Sequence, residues 1–380
     1  MPVLEKIVVQ DYRNITLQEL SFSPNINCIT GNNGEGKTNL LDAIWYLSMT
    51  KSAFAASDRE NFRFGTNAFA LSGTYRMENG DISARFSIRV GSGGEKRLVR
   101  DDKPCPKVSA HIGTLPIVMV SPADIALISE SGEQRRRFVN GVLSQMDPAY
   151  LAGMMQYNRF LQQRNRMLKD GASDPELFAV IDARLDALAG PLRAARARLA
   201  DDLRPVVASY YESVSGGAEK VSIQYRSDLS EGASLAEMLA ASMERDRALR
   251  FTSCGLQRDE FLFTMGDGHP IRRCGSQGQQ KSFLVALKFA QYEIMKRRYG
   301  FAPILLLDDV FDKLDTGRIG NLIAMVAGER FGQIFITDSN KVRLSQIVDR
   351  ITDECRYYVA EGGEFRPLNA QSDGNALLPE

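Results

Sequence analysis

The 380 residues allow two or three compact units, and 44% hydrophobic with 25% charged residues excludes a mainly disordered chain. Lysine plus arginine and aspartate plus glutamate each number 47, so a nucleic-acid partner would have to be held by a local basic surface rather than by overall charge. Five scattered cysteines without a CxxC pair and only two histidines, His111 and His269, exclude a zinc-ligand spacing and make a His-dependent nucleophilic triad a poor fit.

The N-terminus lacks the basic and then apolar order of a signal peptide, and no apolar run approaches the ~20 residues of a membrane span, so the sequence reads as soluble, cytoplasmic and without a membrane partner. Residues 1–30 alternate through Ile7, Val9, Leu17, Leu20 and Phe22 and end in the apolar run 26–29, which predicts two or three strands leading into a glycine-rich turn. Leu40, Leu41, Ile44 and Leu47 then recur at helical spacing. Strands return over 67–120, with a Gly-rich hairpin at 91–94.

The middle of the chain changes character. Asp147-Pro148 and Asp174-Pro175 each read as an N-cap followed by proline at the first helical position. The first opens an apolar pattern through Leu151, Met154, Met155, Leu161 and Leu168, stopped by Gly171. The second runs through Phe178, Ile181, Leu185, Leu192 and Leu199 toward Gly216, and Gly190-Pro191 is expected to kink or break it. Together they predict an antiparallel hairpin of long helices. Strands and short helices resume from Val221, and the polar tail beyond Gly362 is expected to fray.

Three stretches carry chemistry. Gly31-Asn32-Asn33-Gly34-Glu35-Gly36-Lys37-Thr38 fits G-x-x-x-x-G-K-[ST] between a predicted strand and a predicted helix. Glycines let successive N–H groups turn toward phosphate oxygens; Lys37 would reach the β- and γ-phosphates of ATP, and Thr38 would ligate Mg²⁺. The apolar strand 304–307 ends in Asp308-Asp309. Two adjacent carboxylates at the end of a buried strand call for a cation: Asp308 would hold Mg²⁺ and Asp309 would handle the attacking water. Gly275-Ser276-Gln277-Gly278-Gln279 precedes an apolar-faced helix. Ser276 with Gln279 forms a capping box, and the helix N-terminus is also suited to an anion.

That last stretch resembles the Leu-Ser-Gly-Gly-Gln signature of ABC-type ATPases, and Leu314-Asp315 resembles their D-loop. The histidine such transporters carry after the next strand is absent from Ile336-Thr337-Asp338-Ser339-Asn340. Asp11-Tyr12-Arg13-Asn14, the glycine loop with Thr38-Asn39-Leu40-Leu41-Asp42-Ala43-Ile44, Ser121-Pro122-Ala123-Asp124, Arg135-Arg136-Arg137-Phe138, Gln163-Arg164-Asn165, 275–281 and 306–314, in this order, resemble the RecF family of bacterial recombination mediators over about residues 1–365. Gly255-Leu256-Gln257-Arg258-Asp259-Glu260 lacks the proline and histidine usual at that point of the family.

The resemblance implies an α/β ABC-type P-loop ATPase head with an inserted helical arm. Residues 1–120 would hold the phosphate loop, 121–249 the helical insert, 250–365 the signature and the rest of the head, and 366–380 a frayed tail. It further implies a weak ATPase that dimerises on ATP, binds DNA and works with RecR and RecO. Nucleotide contacts are expected from residues 31–39, including Asn39, and from Ser276, Gly278, Gln279 and Asp315. Lys37, Ser276 and Asp309 would serve catalysis, and Thr38 with Asp308 the metal. A transporter-coupled ATPase subunit and an SMC-like chromosome-organising ATPase are the alternatives. For DNA, Arg135, Arg136, Arg137, Arg159, Arg164 and Arg166 are the candidate contacts.

Overall fold

A computed structural model of the chain describes residues 1–77, 83–217, 219–311, 317–318, 320–321, 331–340 and 355–368. Its contacts divide it into two units, Met1–Asp124 with Gln291–Glu380, and Ile125–Ala290. Among the described residues no helix is long and apolar enough to cross a membrane.

In the first unit β1 (Val3–Tyr12) and β2 (Ile15–Ser21) open one sheet, β3 (Ile26–Thr30) opens a second, and α1 (Lys37–Met49) follows β3. The first sheet is completed by β4 (Ala68–Arg76), β5 (Ser83–Gly91), β6 (Lys96–Arg100) and β7 (Lys103–Pro104), in the order β2-β1-β4-β5-β6-β7 with every pair antiparallel. Its strands alternate: Phe69, Leu71 and Tyr75 of β4 and Phe86, Ile88 and Val90 of β5 are buried, while their neighbours in sequence point away. The buried face packs on Leu40, Leu41, Ile44 and Leu47 of α1, which is the helical spacing read from the sequence.

The second sheet behaves differently. With β8 (Ile117–Val120), β11 (Ile304–Asp308), β12 (Ile334–Asp338), β13 (Cys355–Glu361) and β14 (Glu364–Leu368) it runs β14-β13-β3-β12-β11-β8, numbering β9 and β10 to the other unit. All pairs are parallel except β13 with β14. Every residue of β3, β11 and β12 is buried, as expected of parallel strands covered on both faces. Because these three strands are parallel neighbours, their C-terminal ends share one edge, and that edge carries the site.

The second unit is built on α2 (Ala126–Ser129), α3 (Gly132–Met146), α4 (Pro148–Lys169) and α5 (Pro175–Ser215). Asp147 accepts from Ala149 N at 2.8 Å and Asp174 from Glu176 N at 2.9 Å, so both predicted caps form. The expected break at Gly190-Pro191 does not occur: α5 runs unbroken through Pro191 and Pro205. A proline in a helix interior costs about 3 kcal/mol. Here Leu185, Ala189, Leu192, Leu199, Leu203 and Val207 form a buried row on both sides of it, and this packing holds the helix together. Met155, read as part of an apolar face, is 54% exposed instead.

The unit continues with β9 (Val221–Arg226), α6 (Leu235–Ala241), α7 (Met243–Leu249), β10 (Glu260–Met265), α8 (Ile271–Cys274) and α9 (Gln277–Tyr299). The sequence placed residues 250–290 with the head, but they group with the helical hairpin. The reason is pairing: β10 lies antiparallel to β9 over six residues, from Glu260 opposite Arg226 to Met265 opposite Val221. The boundary therefore falls inside α9 rather than near residue 249.

A buried ion network ties α4, α5 and α7 together. Arg164, fully buried, reaches Asp182 at 2.7 Å, Asp246 at 2.6 Å and Thr252 Oγ1 at 2.9 Å. Burial pushes the Asp182 carboxyl above its ordinary range, and the bonded Arg164 guanidinium pulls it back. Arg164→Ala would leave two buried carboxylates without their cation, an expected loss of about 3–5 kcal/mol. Arg166→Ala, at an 84% exposed side chain, should stay within about 0.5 kcal/mol. Urea unfolding of both variants checks this; equal midpoints would contradict it.

Candidate nucleotide-binding site

The loop after β3 is shaped by two close approaches. Gly31 has φ 151° and lies against Ala360 of β13, where a Cβ would come within 2.4 Å of the carbonyl oxygen. Gly36, the residue before α1, has φ 106°, and a Cβ there would meet the Asn14 side chain at 2.9 Å. Both positions are closed to an L side chain, which explains the glycines. The loop is braced by the β13–β14 turn: Gly362 N donates to the Glu35 carboxylate and Gly363 N to the Glu35 carbonyl at 3.0 Å.

No side chain caps α1, and no acid sits in its first turn. Its leading N–H groups and the positive end of its dipole are thus left for an anion. Lys37, buried, donates to the carbonyls of Gly31 at 2.7 Å and Asn32 at 2.9 Å, so its ammonium is held inside the curl of the loop.

The next residue faces the acids. Thr38 Oγ1 lies 3.0 and 2.9 Å from the two carboxylate oxygens of Asp308. The register of β11 against β12 puts Asp308 opposite Thr337, whose hydroxyl donates to Asp308 Oδ1 at 2.6 Å. Burial raises the Asp308 carboxyl above its usual range; the Thr337 and Thr38 hydroxyls oppose that shift and the neighbouring Asp309 adds to it. Asp309 is in the left-handed region, φ 45°, with its N–H directed to Thr337 Oγ1 at 3.1 Å. A non-glycine residue there stores strain, as functional positions often do. Buried carboxylate, adjacent hydroxyl and second carboxylate form an oxygen set suited to a hard divalent cation that keeps waters and takes phosphate oxygens as further ligands. The residues present therefore fit Mg²⁺, which Thr38 and Asp308 would hold.

Asn39 sits at the same mouth. Its Nδ2 donates to Asn14 Oδ1 at 2.7 Å, and Arg13 Nη1 donates to Asn39 Oδ1 at 3.2 Å. Arg13 also pairs with buried Asp42 at 3.1 Å, and Tyr12 donates to that carboxylate at 2.7 Å. The Asp11–Asn14 turn thereby fixes the start of α1.

Ser276, Gly278 and Gln279 lie in the second unit, at the start of α9, whereas the loop and the acids lie in the first. The capping box is formed: Gln279 N donates to Ser276 Oγ at 3.2 Å and Ser276 N to Gln279 Oε1 at 2.7 Å. Gln279 Nε2 further donates to Glu219 at 2.9 Å. Ser276 is nevertheless exposed. Asp315 falls outside the described residues.

Residues 3–353 match the family described as RecF/RecN/SMC N terminal domain. The chain is 42% identical over 364 residues to the DNA replication and repair protein RecF of Porphyromonas gingivalis, covering 96% of this chain and 99% of the relative. The chain belongs to the RecF family. RecF of Parabacteroides distasonis is likewise 42% identical, over 366 residues. A solved structure of the recombination mediator protein RecF with ATP in the RecFOR pathway superposes with a TM-score of 0.87 at 26% identity, covering 97% of this chain and 98% of that one. The Pyrococcus furiosus Smc head, with a TM-score of 0.56 at 13% identity, shares the fold.

Two kinds of residue escaped the sequence reading of this RecF-family site. In the sequence Thr337 marks only the place where a histidine is missing; its role as a donor to Asp308 depends on strand register. Asn14 and Arg13 carried the family resemblance but no task, and nothing in the spacing between them and Asn39 announces a contact. One expected DNA contact fails: Arg164 is fully buried in its ion network. Arg135 and Arg136 are partly engaged, donating to the carbonyls of Leu127 at 3.0 Å and Asp259 at 2.9 Å. Arg137, Arg159 and Arg166 remain exposed.

Proposed function

We propose that this chain is an ATP-dependent DNA-binding protein of recombinational gap repair, a weak ATPase that dimerises on ATP and works with RecR and RecO in the cytoplasm. The observation that carries the reading is the convergence of Lys37, Thr38, Asp308 and Asp309 on one sheet edge, in a chain aligned with RecF proteins over nearly its whole length. The RecF relatives and the RecF–ATP structure favour this reading over the transporter-coupled and chromosome-organising alternatives.

In this reading Lys37 and the α1 N-terminus bind the β- and γ-phosphates, and Thr38 with Asp308 would hold Mg²⁺, which would offset charge on the phosphate oxygens. Asp309 orients the water and accepts its proton. Ser276 and Gly278 of a second copy close over the γ-phosphate in a head-to-tail pair, together with Asp315 of the D-loop.

Asp309→Asn keeps the shape but removes the basic oxygen. It should bind ATP and Mg²⁺, turn over at least about 100-fold more slowly, and accumulate as dimer. Asp308→Asn should instead raise the Mg²⁺ concentration needed for binding. Turnover and sedimentation with ATP at graded Mg²⁺ check the division. If both variants behave alike, the assigned roles are wrong.

A further inference from the structure

The outward face of the first sheet carries a charge arrangement that folding disfavours. Along β5 the exposed positions are Ser83, Arg85 and Arg89, with Ser87 half-buried, and along β6 Arg97 is exposed. The register sets Arg89 directly opposite Arg97. Like charges facing one another across two strands destabilise a sheet. Among the described residues neither guanidinium makes an ion pair or a hydrogen bond. By contrast, Lys6 meets Glu19 at 2.6 Å and Arg85 meets Asp102 at 2.6 Å.

The surroundings of the arginine pair are flat. Ala70 lies opposite Arg89 on the other side, Ser72 opposite Ser87 with their hydroxyl oxygens 2.8 Å apart, and Thr74 opposite Arg85. Small side chains let an extended anion approach the sheet closely, and hydroxyls can donate to it. None of these outward positions is aromatic, so the face offers nothing for unstacked bases to lie on. Backbone contacts of this kind position a duplex without reading its sequence.

We propose that this sheet face docks the phosphate backbone of duplex DNA, with Arg89 and Arg97 each neutralising a phosphate. The proposal rests on the DNA-binding reading above and deepens it to named residues. It also accounts for the unpaired like charges, which a bound polyanion turns from a liability into the contact.

The test is duplex affinity of the full chain, with ATP, measured against salt for wild type, Arg89→Ala/Arg97→Ala and Arg97→Glu. Each phosphate contact contributes about 0.9 to the slope of log K against log salt. The double variant should therefore show a slope smaller by about two and, near 0.1 M salt, bind roughly 50-fold more weakly. Its ATP affinity should not change. Arg97→Glu should also lose duplex affinity while its melting temperature holds or rises, because an opposite charge then faces Arg89; a merely structural role for Arg97 predicts a fall. An unchanged salt slope in the double variant overturns the proposal. So does intact duplex binding with loss of a protein partner, which would assign the face to that partner. Wild-type protein that binds no duplex at any salt would instead sink the DNA-binding reading itself.

Discussion

Lys37→Ala should bind ATP about 30-fold to several thousand-fold more weakly than wild type and should not dimerise when ATP is added. The magnitude follows from the environment of the ammonium. It is buried, held by the carbonyls of Gly31 and Asn32. Removing one partner of a desolvated, hydrogen-bonded charge pair costs about 2–5 kcal/mol, and each 1.4 kcal/mol is tenfold in affinity. Two contributions are lost together: the point charge on the phosphates and the brace that keeps the loop curled. Lys37→Arg separates them, because it keeps the charge but replaces a compact ammonium, bonded to two carbonyls, by a planar fork of different reach and geometry. It should also bind poorly. Titration of a fluorescent ATP analogue, with circular dichroism to show that both variants fold, checks the result. Affinity within threefold of wild type for Lys37→Ala would remove the loop from the account of nucleotide binding.

What could be read in advance follows the distance over which each feature acts. The phosphate loop was legible because its residues are contiguous and their order alone dictates the curl. Asp308-Asp309 was legible because a fully buried strand ending in two acids is costly without a cation. Thr337 was not, because its link to Asp308 is a consequence of β12 pairing with β11 in one register. Asn14 likewise reaches Asn39 only through a turn in which Asp11 and Arg13 take positive φ. Local rules also overreached where packing outweighs them. Pro191 looks like a helix breaker until the buried row of α5 is known, and Arg164 looks like a surface cation until Asp182 and Asp246 close on it. The sheet face lies in between: Arg85 and Arg89 share a face by simple alternation, but Arg97 joins them only once the β5–β6 register is fixed.

Ser276→Arg should bind ATP normally as a monomer yet neither dimerise nor turn it over. The substitution removes the hydroxyl that caps Gln279 N at 3.2 Å, a loss of about 1 kcal/mol that leaves α9 folded. The larger effect is electrostatic and steric. A long cation is placed at an exposed helix N-terminus, where the dipole disfavours it and where the γ-phosphate of the other subunit is expected. Mixing this variant with Lys37→Ala decides whether Ser276 acts across the dimer. In a mixed dimer one composite site joins the intact Lys37 of one subunit to the intact Ser276 of the other, and the second site carries both defects. Neither variant pairs with itself, so the dimers that form are mixed and half of their sites are whole, and turnover should recover to at most about one half of wild type from two inactive proteins. Ser276 acting within its own subunit predicts no recovery, since every subunit then contains a lesion. A mixture that stays inactive although mixed dimers are seen by sedimentation would therefore place Ser276 in cis. Normal turnover by Ser276→Arg alone would leave the residue as a helix cap and nothing more.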